Sequence, residues 1–373
     1  PDASSSLTTV LNARAGVLAA SVPLAIDTPV RPTTGGVDDL WRASRLRLMG
    51  ETSDRRVTQL YANHYVDLSD FAPHRFWPDA ATSFDPPGQD AIEPIAERLR
   101  AIMGVFVNRF ACALPVTGGK DSRLLAAALT PDAMRRMRHF FVYEINWSTG
   151  FDVTSAKAVA AHLGLPLDVK RVLSGDCAAE LADLDLRVVR AQTALATGFA
   201  HPRLGKTVLQ AMLVTPPCTL LLRGGAAELV HANKWPQPPR IPARVEAEFA
   251  FERLAGQSTT ALRRTLGDDG FKRSWSRYND WFHGLPQGAQ ARAPDVGHRE
   301  LWLSGPFGTI FQAPRRHFYV NPFNDYRLMT ETTRFDPKMR RRGVLLKSLL
   351  DHLSPGLAEV PYATQLRAKM QAA

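Results

Sequence analysis

Apolar positions along most of the chain follow two different spacings in turn. Segments whose apolar residues recur three and four positions apart, as in amphipathic helices, lie between short continuous apolar runs of strand length. The helical segments are 92–106 and 152–163, and the apolar runs are 109–116, 138–144 and 218–222, while 167–172 is predicted as a further strand after the second of these helices. Because strands that alternate with helices pair side by side in one direction, this pattern predicts an α/β fold with a parallel sheet flanked by helices.

The two ends of the chain depart from this alternation. The N-terminal part is interrupted by prolines and glycines, although a helix is predicted at 38–48 and a strand at 65–68. The segment 85–90, with the sequence DPPGQD, reads as a linker. We therefore predict a short irregular N-terminal region over 1–84 and one larger domain over 85–373, whose C-terminal part is mainly helical.

Composition narrows the class of protein without indicating a function. Of the 373 residues, 45% are hydrophobic and 22% are charged, which is ordinary for a globular protein. The net charge of +10 favours anionic ligands such as nucleotides, or it reflects only a solvated basic surface. The densest basic cluster, 338–342, is short and has no interleaved aromatic residues, so nucleic acid is not an expected partner.

The three cysteines, Cys112, Cys177 and Cys218, show neither CxxC spacing nor a metal-ligand pattern with histidine. So few cysteines favour a reducing compartment, and we expect a cytoplasmic protein in which Cys112 is a buried structural thiol. No stretch of the sequence has the apolar length of a membrane span, so no membrane partner is expected.

The candidate chemistry lies directly after the first predicted strand of the sheet, in the segment 117–122 with the sequence TGGKDS, here called the glycine loop. Its two glycines permit a sharp bend and let a ligand approach the backbone amides, which favour an anion at a helix start. Lys120 adds a positive charge. Asp121 would repel a phosphate unless a divalent cation lay between them, so the loop predicts a phosphate group with Mg2+. The alternative is an ordinary strand–turn–helix connection capped by Asp121 and Ser122.

The glycine loop lacks the GxxxxGK[ST] and GxGxxG patterns of other nucleotide-binding loops. Together with Arg123 it instead resembles the SGGxDS pyrophosphate loop of the ATP-pyrophosphatase (PP-loop) superfamily. Four later segments resemble, in the same order, parts of the asparagine-synthetase branch of that superfamily, which includes enzymes that close β-lactam rings and lasso-peptide macrocycles. These segments are 138–144, 152–164, 220–229 and 321–329.

The resemblance implies a PP-loop fold that uses ATP and Mg2+. It implies an ATP-dependent carbon–nitrogen ligase that adenylates a carboxylate, releases AMP and pyrophosphate, and transfers the acyl group to an amine or to ammonia. The implied partners are ATP, a small-molecule or peptide carboxylate and an amine, while a homo-oligomer or a partner protein stays open. Two other functions also stay open: a degenerate nucleotide-binding or scaffold protein of the same fold, and a tRNA-modifying enzyme of the same superfamily.

The resemblance also implies roles for individual residues of this chain. Asp121 and Glu228 would hold Mg2+. Asp121, Lys347 and Lys369 are the catalytic candidates, the two lysines because relatives use a late lysine to stabilise developing charge. The candidates for cofactor binding are Thr117, Gly118, Gly119, Lys120, Asp121, Ser122, Val142, Gly224 and Gly225.

The chain departs from the family pattern at several points. Ala227 and Gly224 stand where the family has acidic residues near the metal, which favours the degenerate alternative. The first cysteine is Cys112 and the N-terminal region is too short for a glutaminase domain, so we expect no glutamine hydrolysis by this polypeptide. Asp325, in the last of the similar segments, is predicted to be a helix cap or the ion-pair partner of Arg327.

Overall fold

The computed structural model describes residues 9–31, 49–172, 214–307 and 318–372, together with 185, 187–189, 191 and 211. The helix predicted at 38–48 and Cys177 lie outside these residues. The chain divides into two compact units, and one division falls between Asp85 and Pro86, at the start of the predicted linker. As far as they are described, the first unit comprises residues 1–85, 185–204 and 232–313, and the second comprises 86–184, 205–231 and 314–373.

Three sheets are present in the described part of the chain. The strands of the first unit are β1 (Val10–Asn12), β2 (Val17–Ala19), β3 (Thr58–Gln59), β4 (His64–Asp67) and β5 (Ala72–Arg75). The strands of the second unit are β6 (Cys112–Pro115), β7 (His139–Glu144), β8 (Leu167–Arg171), β9 (Leu220–Leu222) and β10 (Phe318–Val320). All five predicted strands are present and differ from the predictions only at their ends, whereas β1, β2, β3, β5 and β10 were not predicted.

The helices vary widely in length. In chain order they are α1 (Ile92–Arg109), α2 (Asp121–Ala127), α3 (Pro131–Arg136), α4 (Trp147–Leu163), α5 (Ala247–Ala255), α6 (Thr259–His283), α7 (Gln287–Gln290), α8 (Ala293–Gly297), α9 (Tyr326–Arg334), α10 (Pro337–Arg341), α11 (Val344–Leu353) and α12 (Ala363–Ala372). Helix α6 is kinked at Gly267, whose φ of 70° is not helical. Within the described residues, no helix combines the length and the apolar character that crossing a bilayer requires.

The second unit is built on a five-stranded sheet in the order β10-β9-β6-β7-β8, and every neighbouring pair of strands is parallel. Counted by chain position within the sheet, the order is 5-4-1-2-3, so the earliest strand, β6, is central. Cys112, Ala113 and Leu114 of this strand are fully buried, as expected where helices cover both faces of a parallel sheet. The structure thus confirms the predicted α/β fold with a flanked parallel sheet.

Two predictions about single residues can be checked in this unit. Cys112 is a buried free thiol, as predicted, and burial together with the nearby Cys218 raises its pKa to about 11. Asp325 caps α9 by accepting a hydrogen bond from the Leu328 amide at 2.9 Å, which confirms the predicted cap. Asp325 also pairs with Arg98 on α1, whose Nε lies 2.6 Å from Oδ1 of Asp325.

The first unit combines short strands with a helical aromatic core. Strands β2-β1-β3 form an antiparallel sheet, and β4 and β5 form an antiparallel hairpin. Met49, Tyr61 and Phe84 pack with large side chains of α5 and α6, so the N-terminal residues and the later helices share one hydrophobic core. The aromatic residues of these two helices in the core are Phe251, Phe271, Trp275, Tyr278, Trp281 and Phe282.

A buried carboxylate lies at the edge of that core. Glu300 is fully buried in a π-helical segment and accepts hydrogen bonds from Nδ2 of Asn63 at 3.2 Å and from Nε1 of Trp281 at 2.8 Å. It also pairs with Arg75, whose side chain is only 14% exposed. A carboxylate is tolerated in an interior only when cations and donors surround it, so these contacts bind the β4–β5 hairpin firmly to the helices of the unit.

Candidate functional site

The glycine loop leaves the sheet at the carboxyl end of β6, where the strand order of the second unit reverses. The neighbouring strand β9 is parallel to β6 and continues into Arg223, Gly224 and Gly225, so both segments emerge at the same edge. Strands β7 and β8 follow one another on one side of β6, whereas β9 and β10 lie on its other side. In open α/β sheets, ligands bind in the crevice outside the carboxyl ends of the strands at such a reversal.

The bend of the glycine loop is held by hydrogen bonds within the protein. The Thr117 amide donates to Oγ of Ser122 at 3.0 Å, and the Gly119 amide donates to Oγ1 of Thr117 at 3.2 Å. The Gly118 amide donates to Oδ1 of Asp152 on α4 at 3.1 Å. These three amides, which the sequence predicted to face a phosphate, thus already have acceptors, and a phosphate would have to compete with Thr117, Ser122 and Asp152 for them. Their role in phosphate binding stays a prediction.

The glycines that follow β9 permit a close approach between this segment and the start of α2. A Cβ atom placed on Gly224 would lie 2.4 Å from Cβ of Asp121, and one placed on Gly225 would lie 2.6 Å from Oδ1 of Asn321. Real Cβ atoms do not come so near, so a side chain at Gly224 would push this segment away from α2, and one at Gly225 would displace the side chain of Asn321. The structure therefore gives both glycines a packing role, and cofactor binding by them stays a prediction.

Replacing Gly224 with alanine is expected to lower the free energy of unfolding by about 1–3 kcal/mol, the usual cost of overpacking a filled interior. The new Cβ would also lie 3.1 Å from the carbonyl carbon of Asp121, so the backbone itself would have to shift. Denaturant titration measures the change. The matched control is Gly104→Ala in α1, where no heavy atom lies within 4 Å of the new Cβ. This control should stabilise the protein by about 0.5–1 kcal/mol, since alanine favours helix over glycine. Equal stability of both variants would contradict the close approach.

Asp121 begins α2 and faces the 3₁₀ turn Ala227–His231 that follows β9. Nε2 of His231 lies 3.0 Å from Oδ1 of Asp121, whose side chain remains 32% exposed. The Nδ1 atom of His231 is buried without a hydrogen-bond partner in the part of the chain that the structure describes. His231 was not predicted, because 110 residues separate it from Asp121 and nothing in its neighbourhood marks it. The pair leaves the carboxylate oriented by the imidazole and accessible to a ligand.

The metal candidates lie on the two segments that leave the sheet edge. Glu228 is the half-buried second residue of the 3₁₀ turn, and its negative charge favours the protonated form of Arg223. Burial lowers the pKa of Arg223 to about 10, while Tyr319 and Glu228 act in the opposite direction. Within the described residues, no three His, Cys, Asp or Glu side chains converge as metal ligands. Mg2+ commonly takes one or two protein carboxylates and completes its shell with water and phosphate, so the donors Asp121 and Glu228 fit this ion.

The glycine loop carries a positive charge near a second cation. Lys120 is half-buried, and burial together with the charge of Arg341 on α10 lowers its pKa, against the opposite influence of Asp121. Helix α10 is fixed beside the site by Arg340, which is fully buried and donates from Nη1 to the Leu229 carbonyl oxygen at 2.7 Å. Like charges held near one another raise the local potential, which favours an anionic ligand.

The remaining predicted site residues lie in other surroundings. Nζ of Lys347 on α11 is 2.8 Å from Glu359 and 3.1 Å from Asp351, and these exposed acids raise its pKa. Lys369 is exposed on α12. Val142 lies inside β7 with 1% of its surface exposed, so its side chain packs within the sheet. The contacts of these residues provide no separate argument for chemistry, and their roles stay predictions.

Two contacts of the loop other than His231 were also missed by the sequence analysis. Asp152, which holds the Gly118 amide, belongs to a predicted helix but is spaced like any polar position on it. Ala363, whose amide donates to the Gly118 carbonyl oxygen at 3.1 Å, lies near the C-terminus without a local signal. A comparison with protein-family models finds no match, and a comparison with curated proteins finds none at a significant level.

Proposed function

We propose that the crevice between β6 and β9 binds ATP with Mg2+ and that the chain is an ATP-dependent ligase, which adenylates a carboxylate and passes the acyl group to an amine or to ammonia. One observation carries this proposal. Two glycine-containing segments, the glycine loop and Gly224–Gly225, lie next to each other where the strand order of the parallel sheet reverses. Counted from β8, that order is 3-2-1-4-5. Dinucleotide- and nucleotide-binding sheets place phosphates at this kind of reversal.

The side chains of the crevice support an anionic ligand with a metal. Lys120 and Arg341 bring positive charge to the loop. Asp121 and Glu228 are the carboxylates that we propose for Mg2+, and His231 orients Asp121. A bound Mg2+ ion would neutralise charge on the departing pyrophosphate. Together with the sequence resemblance, these features favour the PP-loop version of the α/β fold.

A specific observation favours the alternative, a nucleotide-binding protein without turnover. Ala227 stands in the 3₁₀ turn where the family that the sequence resembles has an acidic residue. The contact of the Asp121 carboxylate across from this turn is with His231 and not with an acid at position 227. At a weaker metal site, Lys120 and Arg341 would still attract the phosphates of ATP, although the charge of Asp121 would oppose them. Binding and turnover are therefore measured separately.

The test supplies wild-type protein with ATP, Mg2+ and a panel of carboxylic acids, with ammonia or simple amines as acceptors. Equimolar AMP and pyrophosphate that appear only with a particular acid would support the ligase. Carboxylate labelled with 18O should deliver one labelled oxygen to AMP, because the carboxylate oxygen attacks the α-phosphorus. ATP binding by calorimetry without any pyrophosphate would support the alternative, and the lack of any ATP binding would overturn both.

A further inference from the structure

The C-terminal segment 357–363 is fastened to the second unit mainly through one arginine. Arg123, in α2, is fully buried, and its Nη1 donates to the carbonyl oxygens of Leu357 at 3.3 Å and Val360 at 2.6 Å. Its Nη2 donates to the carbonyl oxygen of Pro361 at 3.2 Å. The Val360 and Pro361 carbonyl groups belong to an irregular stretch after a 3₁₀ turn, and the Leu357 carbonyl group, in that turn, also accepts from the Val360 amide at 3.3 Å.

Two further contacts complete this attachment. The guanidinium carbon of Arg123 lies 3.8 Å from the centre of the Tyr362 ring, so the cation stacks on the aromatic face. Oγ of Ser155 on α4 donates to the Pro361 carbonyl oxygen at 2.7 Å and accepts from Nη2 of Arg123 at 3.3 Å. A planar guanidinium with donors in a fixed fork can serve several carbonyl groups at once, which a lysine ammonium cannot do in the same geometry.

The fastened segment ends against the glycine loop. The Ala363 amide donates to the Gly118 carbonyl oxygen at 3.1 Å, while the Gly118 amide is held by Asp152. A Cβ atom on Gly118 would lie 2.5 Å from Cβ of Ala363 and 3.0 Å from Cβ of Ser155. Both polar groups of the Gly118 residue are thus fixed, one by α4 and the other by the first residue of α12.

We propose that Arg123 is a positioning residue, which holds the glycine loop in its bent conformation by fastening segment 357–363 against Gly118. Arg123 directly follows the loop in sequence but is fully buried, so it acts on the site through the C-terminal segment and through Ser155. The consequence for nucleotide affinity rests on the proposed function, whereas the consequence for the conformation of the loop does not. The two are tested by separate measurements on the full chain.

The first measurement is hydrogen exchange of the full-length protein without nucleotide, read in peptides that cover 116–122 and 357–363. The Thr117, Gly118 and Gly119 amides are hydrogen-bonded and therefore report opening of the loop. In Arg123→Lys we expect exchange in both peptides to rise together by about tenfold or more, as hydrogen bonds from a charged donor are lost. Faster exchange in 357–363 with an unchanged loop would overturn the proposal.

Two other variants keep the test interpretable. Ser155→Ala removes a second hydrogen bond to Pro361 at a buried helix position that accepts alanine, so it should raise exchange in the same two peptides even where Arg123→Lys fails to fold. Arg136→Lys, on the exposed face of α3, is the matched control and should change neither peptide. Increased exchange in the control equal to that in Arg123→Lys would also overturn the proposal.

The second measurement is calorimetric titration with ATP and Mg2+. We expect the Kd of Arg123→Lys to rise by about tenfold relative to wild type, in the range of effects that follow loss of an outer supporting contact. The Kd of Arg136→Lys should equal that of wild type. Wild-type affinity in a variant whose loop exchanges faster would refute the expected effect on nucleotide affinity, while the role of Arg123 in holding the loop would stand on the exchange data. A wild-type protein that binds no ATP would instead refute the proposed function, and the exchange data would still decide the role of Arg123.

Discussion

Replacing Asp121 with asparagine is expected to lower the rate of pyrophosphate release from ATP by about 10²-fold or more, the loss typical of removing one group that stabilises charge in a reaction. Asparagine keeps the size of the side chain and can still accept a hydrogen bond from His231, but it cannot neutralise a metal ion. The folded state should change little, because the side chain is 32% exposed and asparagine keeps an oxygen acceptor that faces His231. The measurements are the assay of AMP and pyrophosphate and a thermal melt.

The matched control for this variant is Asp132→Asn in α3. Asp132 also lies in the first turn of a short helix of the second unit, and its exposed side chain forms ion pairs with its helix neighbours Arg135 and Arg136. We expect wild-type pyrophosphate release from this control. If Asp121→Asn retained full activity, the carboxylate would have no place in the reaction. A large drop in its melting temperature would show instead that Asp121 acts through the fold.

Replacing Glu300 with alanine is expected to lower the free energy of unfolding of the first unit by about 3–5 kcal/mol, the effect of removing one partner from a buried ion pair. Arg75 would keep a charge that is only 14% exposed, with no carboxylate beside it, and the Trp281 indole would lose its acceptor. Six of the seven tryptophans, Trp281 among them, belong to the first unit, so tryptophan fluorescence in a denaturant titration reports mainly the unfolding of this unit.

Two variants calibrate that measurement. Glu300→Gln retains one oxygen acceptor for Trp281 or Asn63 but not the charge, so its unfolding midpoint should lie between those of wild type and Glu300→Ala. Glu246→Gln removes a carboxylate from an exposed ion pair with Arg244 in the same unit and should leave the midpoint unchanged. If Glu300→Ala unfolded at the wild-type midpoint, the buried carboxylate would not be what attaches the β4–β5 hairpin.

The strands that the sequence reveals are those whose apolar runs are long enough to be recognised. β6, β7 and β9 are largely buried, and their apolar runs stand out from the helical pattern around them. β10 was missed because it has three residues and its first, Phe318, is 71% exposed, so neither length nor alternation marks it. Its place in the sheet is set by pairing with β9, which is a property of the folded chain.

The composition of the two units was also beyond the reach of the sequence. The linker-like residues after Asp85 predict a boundary, and one division between units does fall there. What the pattern does not show is that residues 232–313 share a core with Met49, Tyr61 and Phe84. Local periodicity shows which side chains are buried but not which other segments they contact, so contacts between distant segments could not be predicted from it.

In the candidate site, too, one part could be predicted from the sequence and another could not. The glycine loop was recognisable because glycines, hydroxyls and an acid between a strand and a helix are an unusual local combination. Its supporting residues were not recognisable, since His231, Asp152 and Ala363 reach the loop only through the fold. Local chemistry thus indicated where to look, and the tertiary contacts supply the groups that hold the loop in place.

The long segment of chain between β9 and β10 affects how the sheet forms while the protein is being translated. At translation rates of about 5–20 residues per second, the roughly 95 residues between these strands take about 5–20 s to emerge. During that interval β9 forms the outer edge of the nascent sheet, with its backbone N–H and C=O groups open to pairing. Newly made chains are therefore vulnerable to strand-to-strand aggregation at β9, and chaperones that cover exposed edges should raise the yield of soluble protein.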